Sequence, residues 1–84
     1  MAGAFYHVNA TVSARGATAV TPGDTTNIPV CRALYIGTGG NLAVRMAQEG
    51  ETITFLNVSA GIFPIQVDRV LSTGTTASNI IALY

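Results

Sequence analysis

Turn-forming clusters interrupt this chain roughly every eight to twelve residues, and that spacing leaves room only for short strands. Thr21-Pro22-Gly23-Asp24, Gly37-Thr38-Gly39-Gly40-Asn41, Gln48-Glu49-Gly50-Glu51, Ser59-Ala60-Gly61 and Ser72-Thr73-Gly74-Thr75-Thr76 each combine residues that supply positive φ, fix φ, or bond their own backbone. Between them the apolar residues alternate. Leu34 and Ile36 oppose Ala33 and Tyr35, Leu42, Val44 and Met46 oppose Ala43 and Arg45, and Ile53 and Phe55 oppose Thr54 and Leu56. Phe63, Ile65 and Val67 continue the pattern on one strand read from Phe63 to Asp68, and the glycines of 37–41 read as a hairpin loop with positive φ. The segment 16–20 reads as a short edge, and Asn79-Ile80-Ile81-Ala82-Leu83-Tyr84, apolar on both faces, as a central strand or one clamped between subunits. Eleven threonines favour strand over helix, and no segment carries a capped 3.6-residue period. The expected fold is all-β: a small antiparallel sandwich or barrel-like domain of about six short strands over residues 16–84, preceded by an extended arm over residues 1–15.

At 84 residues the chain is one small domain, a size that usually needs disulfides, a metal or neighbouring subunits for extra support. Cys31 is the single cysteine and His7 the single histidine, so neither an internal disulfide nor a Cys/His zinc cluster can be built. Neighbouring subunits remain. Only eight residues are charged, four of each sign, and none is lysine. A free-standing monomer usually carries a more charged surface than that. The plain alternative is a neutral domain that happens to be soluble; the sharper expectation is a surface covered by partners.

The same balance argues against nucleic acid, which demands a basic patch, and against a membrane, which demands a long apolar run or a basic amphipathic helix. Residues 1–8 lack the basic start and sustained apolar core of a secretory signal, so synthesis in a cytoplasm is expected. Catalysis needs an oriented base beside a nucleophile, and His7 lies in the arm with no such neighbour. Cys31 opens an apolar strand and reads as a small buried residue. The glycines of 37–40 lack the Lys-Ser/Thr ending of a phosphate loop. No catalytic, cofactor-binding or metal residues are assigned. The candidate assembly contacts are Phe5, Tyr6 and His7 in the arm and Tyr84 at the C-terminal strand, since aromatic residues dominate interface energetics.

Several stretches carry a resemblance in a fixed order: Ala19-Val20-Thr21-Pro22 with Asp24, Arg32-Ala33-Leu34-Tyr35-Ile36-Gly37-Thr38-Gly39-Gly40, Asn41-Leu42-Ala43-Val44-Arg45-Met46, Phe55 with Asn57-Val58, Ala60-Gly61, Pro64-Ile65, and Gly74-Thr75-Thr76-Ala77 with Ile80. In these the chain resembles the spike base protein family of tailed bacteriophages and gene transfer agents. It departs at Gln66, where the pattern has a basic residue, and at the bulky Phe63. The resemblance implies a structural virion protein on the head surface, made in a bacterial host. It further implies a homo-oligomer, a pentameric ring at the capsid vertices, with the major capsid protein beneath and a host-contacting spike or fibre above. A capsid decoration protein, a tail or baseplate component and a glycan-binding module are the alternatives. The absence of tryptophan and the scatter of Tyr6, Tyr35 and Tyr84 weigh against the last.

Overall fold

The computed structural model describes residues 13–48 and 50–84. Seven strands run in chain order: β1 (Ala17–Ala19), β2 (Ala33–Thr38), β3 (Gly40–Met46), β4 (Thr52–Val58), β5 (Gly61–Phe63), β6 (Val67–Val70) and β7 (Ser78–Leu83). They form two antiparallel sheets, one in the order β1-β7-β2-β5 and the other β4-β3-β6. The all-β expectation holds. The short edge near residues 17–19 and the central place of β7, between β1 and β2, are both as the sequence suggests.

The core lies between the sheets. Leu34 and Ile36 of β2 and Ile80 and Ala82 of β7 come from one side, and Leu42 and Val44 of β3 with Val67 and Val70 of β6 come from the other. This is the period-2 alternation converted into burial, each Leu, Ile or Val among them contributing about 1.5–3 kcal/mol on leaving water. Cys31 is fully buried with them. Its Sγ lies 3.7–3.8 Å from the carbonyls of Val67 and Ile65, and burial pushes the thiol pKa up.

Two expectations are corrected. The glycine run 37–41 is not a hairpin loop, because β2 and β3 belong to different sheets and only Gly39 separates them. None of these glycines has positive φ; the requirement is space. A Cβ on Gly39 would stand 2.6 Å from the Val58 carbonyl, one on Gly37 2.6 Å from Asn79 Cβ, and one on Gly40 2.7 Å from Thr76 Oγ1. The chain changes sheets where three backbones meet, and only glycine fits. The second correction concerns the strand expected from Phe63 to Asp68. It is two strands in different sheets, β5 against β2 and β6 against β3. Pro64 has no amide to continue the β5 ladder, and the Ile65 amide bonds the Phe63 carbonyl at 2.9 Å in a tight three-residue turn. Alternation survives this crossing because both strands face the same core, so period alone conceals the break.

Candidate assembly surface

Half of the chain's eight charged residues gather on and beside the outer face of the β3–β6 pair. Arg45 and Arg69 are direct cross-strand partners, an arrangement that like charges make unfavourable. Two neighbours offset it. Asp68 accepts a bidentate pair from Arg45, Nε to Oδ1 at 2.8 Å and Nη2 to Oδ2 at 2.9 Å. Asn27 Oδ1 accepts from Arg69 Nε at 2.9 Å and from Arg45 Nη2 at 3.4 Å. The guanidinium hydrogen bond from Arg45 holds the Asp68 carboxyl below its ordinary pKa. Beside this network, Asp24 ties two loops together. Its Oδ2 accepts from Thr73 Oγ1 at 2.6 Å, and its Oδ1 accepts from the amides of Ser72 and Thr73, both at 2.9 Å, and from Ser72 Oγ at 3.1 Å. These donors, Thr73 first, lower the Asp24 pKa. The loop then caps β3, with Thr75 Oγ1 accepting from the Ala43 amide and Thr76 Oγ1 from the Asn41 amide.

The edge of β6 is closed as well. Gly23, Ile28 and Cys31 donate their amides to the carbonyls of Val70, Asp68 and Val67. Four charged side chains of balanced sign and a covered strand edge make this side a finished surface.

Among the described residues, the opposite side is open. β4 and β5 are edge strands of their sheets and meet through Phe55 and Phe63, edge-to-face at 5.1 Å between ring centres. A cleft lined by Phe55, Leu56, Val58, Ile62 and Phe63, together with the polar Asn57 and Ser59, opens there. Leu56 is 67% exposed, Ile62 60% and Ile53 48%. Tyr35 and Ile62 are cross-strand partners, and with Ile81 they extend the apolar surface across the outer face of the larger sheet. No charged residue occurs between Glu51 and Asp68.

Of the contacts expected from the sequence, Phe5, Tyr6 and His7 lie outside the described residues. Tyr84 is half-buried at the end of β7. Its hydroxyl donates to the Pro29 carbonyl at 3.2 Å, its backbone pairs with Gly16, and burial pushes its phenol pKa up. The structure does not bring Tyr84 to the open side. Leu56 and Ile62, the most exposed large apolar residues there, carry no aromatic signal in the sequence: one sits in an alternating strand and the other follows a turn. The signal that marks them is the uncharged run between Glu51 and Asp68. Among the described residues there is no group of three or more His, Cys, Asp or Glu side chains able to hold a metal ion.

No protein-family model matches the chain, and neither does any curated protein. A solved structure does: "Capsid of native GTA particle computed with C5 symmetry", where GTA stands for gene transfer agent. The two chains are 34% identical with a TM-score of 0.78, over 94% of this chain and 93% of that one. Likeness of that extent covers both sheets and the sequence that builds them. The chain therefore belongs to the family of that gene transfer agent capsid protein, a family of structural virion components.

Proposed function

We propose that this protein is the base of a head spike or fibre at the capsid vertices, a ring of identical subunits seated on the shell and holding a host-contacting appendage. The observation that carries the proposal is the 34% identity, over nearly the full length, to a chain of a gene transfer agent capsid computed with C5 symmetry. An uncharged open side facing away from a finished one suits a subunit that is enclosed by neighbours. The role is mechanical: the chain binds the major capsid protein below, its own copies laterally and the spike above, with no catalytic step. The four arginines and four acids balance, and four of those eight charges are engaged on one face. Nothing in that arrangement favours attraction to a nucleic-acid backbone. Residues 1–15 serve in this proposal as an arm onto a neighbour or the shell.

The test is a reconstruction of particles carrying an epitope-tagged chain, alongside particles from a strain lacking it. Density for the tag at the vertices, and intact heads without spikes in the deletion strain, are the expected results. Tag density spread over the hexameric faces would identify a decoration protein, and density on the tail would overturn the head assignment.

A further inference from the structure

Among the described residues, the outer edges of the two sheets are unequal. β1 and β5 are three residues long, and β6 is occupied by the segment 23–31. β4 is seven residues long, has no proline and no charge, and presents Leu56 to solvent. An exposed, uncharged strand edge of that length pairs with whatever extended chain is offered to it. The chain supplies a candidate. Residues 1–12, outside the described residues, hold no formally charged side chain and no proline. Ala4, Tyr6, Val8, Ala10 and Val12 alternate with Phe5, His7, Asn9 and Thr11, the period of a strand with one apolar face. Their point of departure is also fixed. The Ser13 carbonyl accepts from Arg32 Nη1 at 2.8 Å, and Gly16 bonds the Tyr84 carbonyl, so the described chain begins on the β1 side, across the sandwich from β4. The described chain is 24 Å across its middle dimension, a span that takes about seven extended residues, so a strand of residues 4–12 paired along its whole length leaves no chain to cross to its own β4.

We propose that residues 4–12 of one copy add as a strand to the β4 edge of a second copy, laying Tyr6 and Val8 on the apolar surface of Leu56 and Ile62. Donor and acceptor are different surfaces, so the contact is head-to-tail and each copy uses both once. The inference rests on the proposed function only in taking the chain as a self-associating subunit.

The test is native mass spectrometry of three full-length chains: the unmodified protein, an acceptor variant Leu56→Asp, and a donor variant with Tyr6→Asp and Val8→Asp. Leu56 is two-thirds exposed, so unchanged circular dichroism is expected of its variant. The unmodified chain should run as an oligomer and each variant alone as a single chain. An equimolar mixture of the two variants should form a one-to-one pair and nothing larger, because one intact donor and one intact acceptor remain between them. An unmodified chain that stays monomeric overturns the pairing. So does a variant that keeps the oligomer's mass, or a mixture that forms no pair. A chain that fails this test yet still occurs at the vertices of particles condemns the pairing and leaves the proposed function standing.

Discussion

The two long sides of this sandwich are built from the same kind of strand and finished in different ways. On the β6 side, opposed arginines are neutralised by Asp68 and Asn27, a loop segment fills the strand edge, and Asp24 locks two turns together. On the β4–β5 side there is no charge, no covering segment among the described residues, and Leu56 and Ile62 face solvent. A monomer gains nothing from leaving one side unfinished, since a free strand edge with apolar flanks is an aggregation hazard. Under the proposed function, the contrast separates folding requirements, met internally on one side, from assembly requirements, left for a partner on the other.

Both sides rest on one core, so the largest effect should fall on both at once. Leu34→Ala empties a fully buried position between the sheets and should destabilise the fold by about 2–5 kcal/mol, read by urea unfolding. Amide exchange in β4 and β6 should accelerate together. A β4–β5 side that opens at lower denaturant while β6 stays protected would show that the two sides are separate cooperative units. A smaller and more one-sided loss is expected from Gly39→Ala. The added methyl meets the Val58 carbonyl, a backbone atom that moves only with the end of β4, and the overpacking should cost about 1–3 kcal/mol. Its exchange signature should be concentrated in residues 55–61, sharpening the view that the sheet-to-sheet corner anchors the open side.

Much of this contrast can be traced back to particular residues in the sequence, and some of it cannot. The alternation at Leu34/Ile36 and Leu42/Val44 marked the core because burial on one face imposes a period of two. The apolar-on-both-faces run Ile80-Ile81-Ala82-Leu83 marked a central strand for the same reason. Sheet membership was not legible. Gly37–Asn41 looks like a hairpin because glycine clusters usually mark positive φ, whereas here they mark the close approach of Val58, Asn79 and Thr76, residues distant in sequence. Pro64 carried a break that the continuing alternation of Phe63, Ile65 and Val67 concealed. As for the candidate surface, aromatic residues drew attention to Tyr84, which the fold uses internally against Pro29, while Leu56 and Ile62 looked like ordinary strand positions. Exposure at an edge depends on strand order, which local pattern does not encode.

Proton titration should touch the finished side at one end of the pH range and the core at the other. Asp24 and Asp68 have folded pKa values below the ordinary 3.8, because hydroxyl, amide and guanidinium donors favour the carboxylate. A depressed acid contributes stability above its unfolded pKa and loses it as pH falls through the folded value. Thermal midpoints should therefore hold steady near neutrality and drop below about pH 3.8, and Asp24→Asn should flatten part of that drop. The Cys31 thiol is raised above its ordinary 9.0 and the Tyr84 phenol above 10.0, chiefly by burial. Their protonated forms favour the fold, so stability is present below those values and falls as pH rises past them. No titratable group among the described residues lines the β4–β5 cleft, and Leu56→Ser should leave both limbs of the profile unchanged.

The smallest expected effect on folding is also the most informative about the open side. Replacing Leu56 and Ile62 with serine removes apolar side chains that are already 67% and 60% exposed. Little burial is lost, and surface changes of this kind usually stay within about 0.5 kcal/mol. Measured at a dilution where the unmodified protein is itself a single chain, the urea midpoint should scarcely move, and solubility should rise as the apolar patch shrinks. If instead the double variant loses as much stability as Gly39→Ala, then Leu56 and Ile62 are packed by part of the same chain. The open side would then be closed in cis, and the contrast between a finished and an unfinished side would collapse. If stability holds while incorporation into particles fails, the two residues serve contacts made outside the fold, because a change that leaves the folded state untouched can remove a function only through a surface the fold does not use.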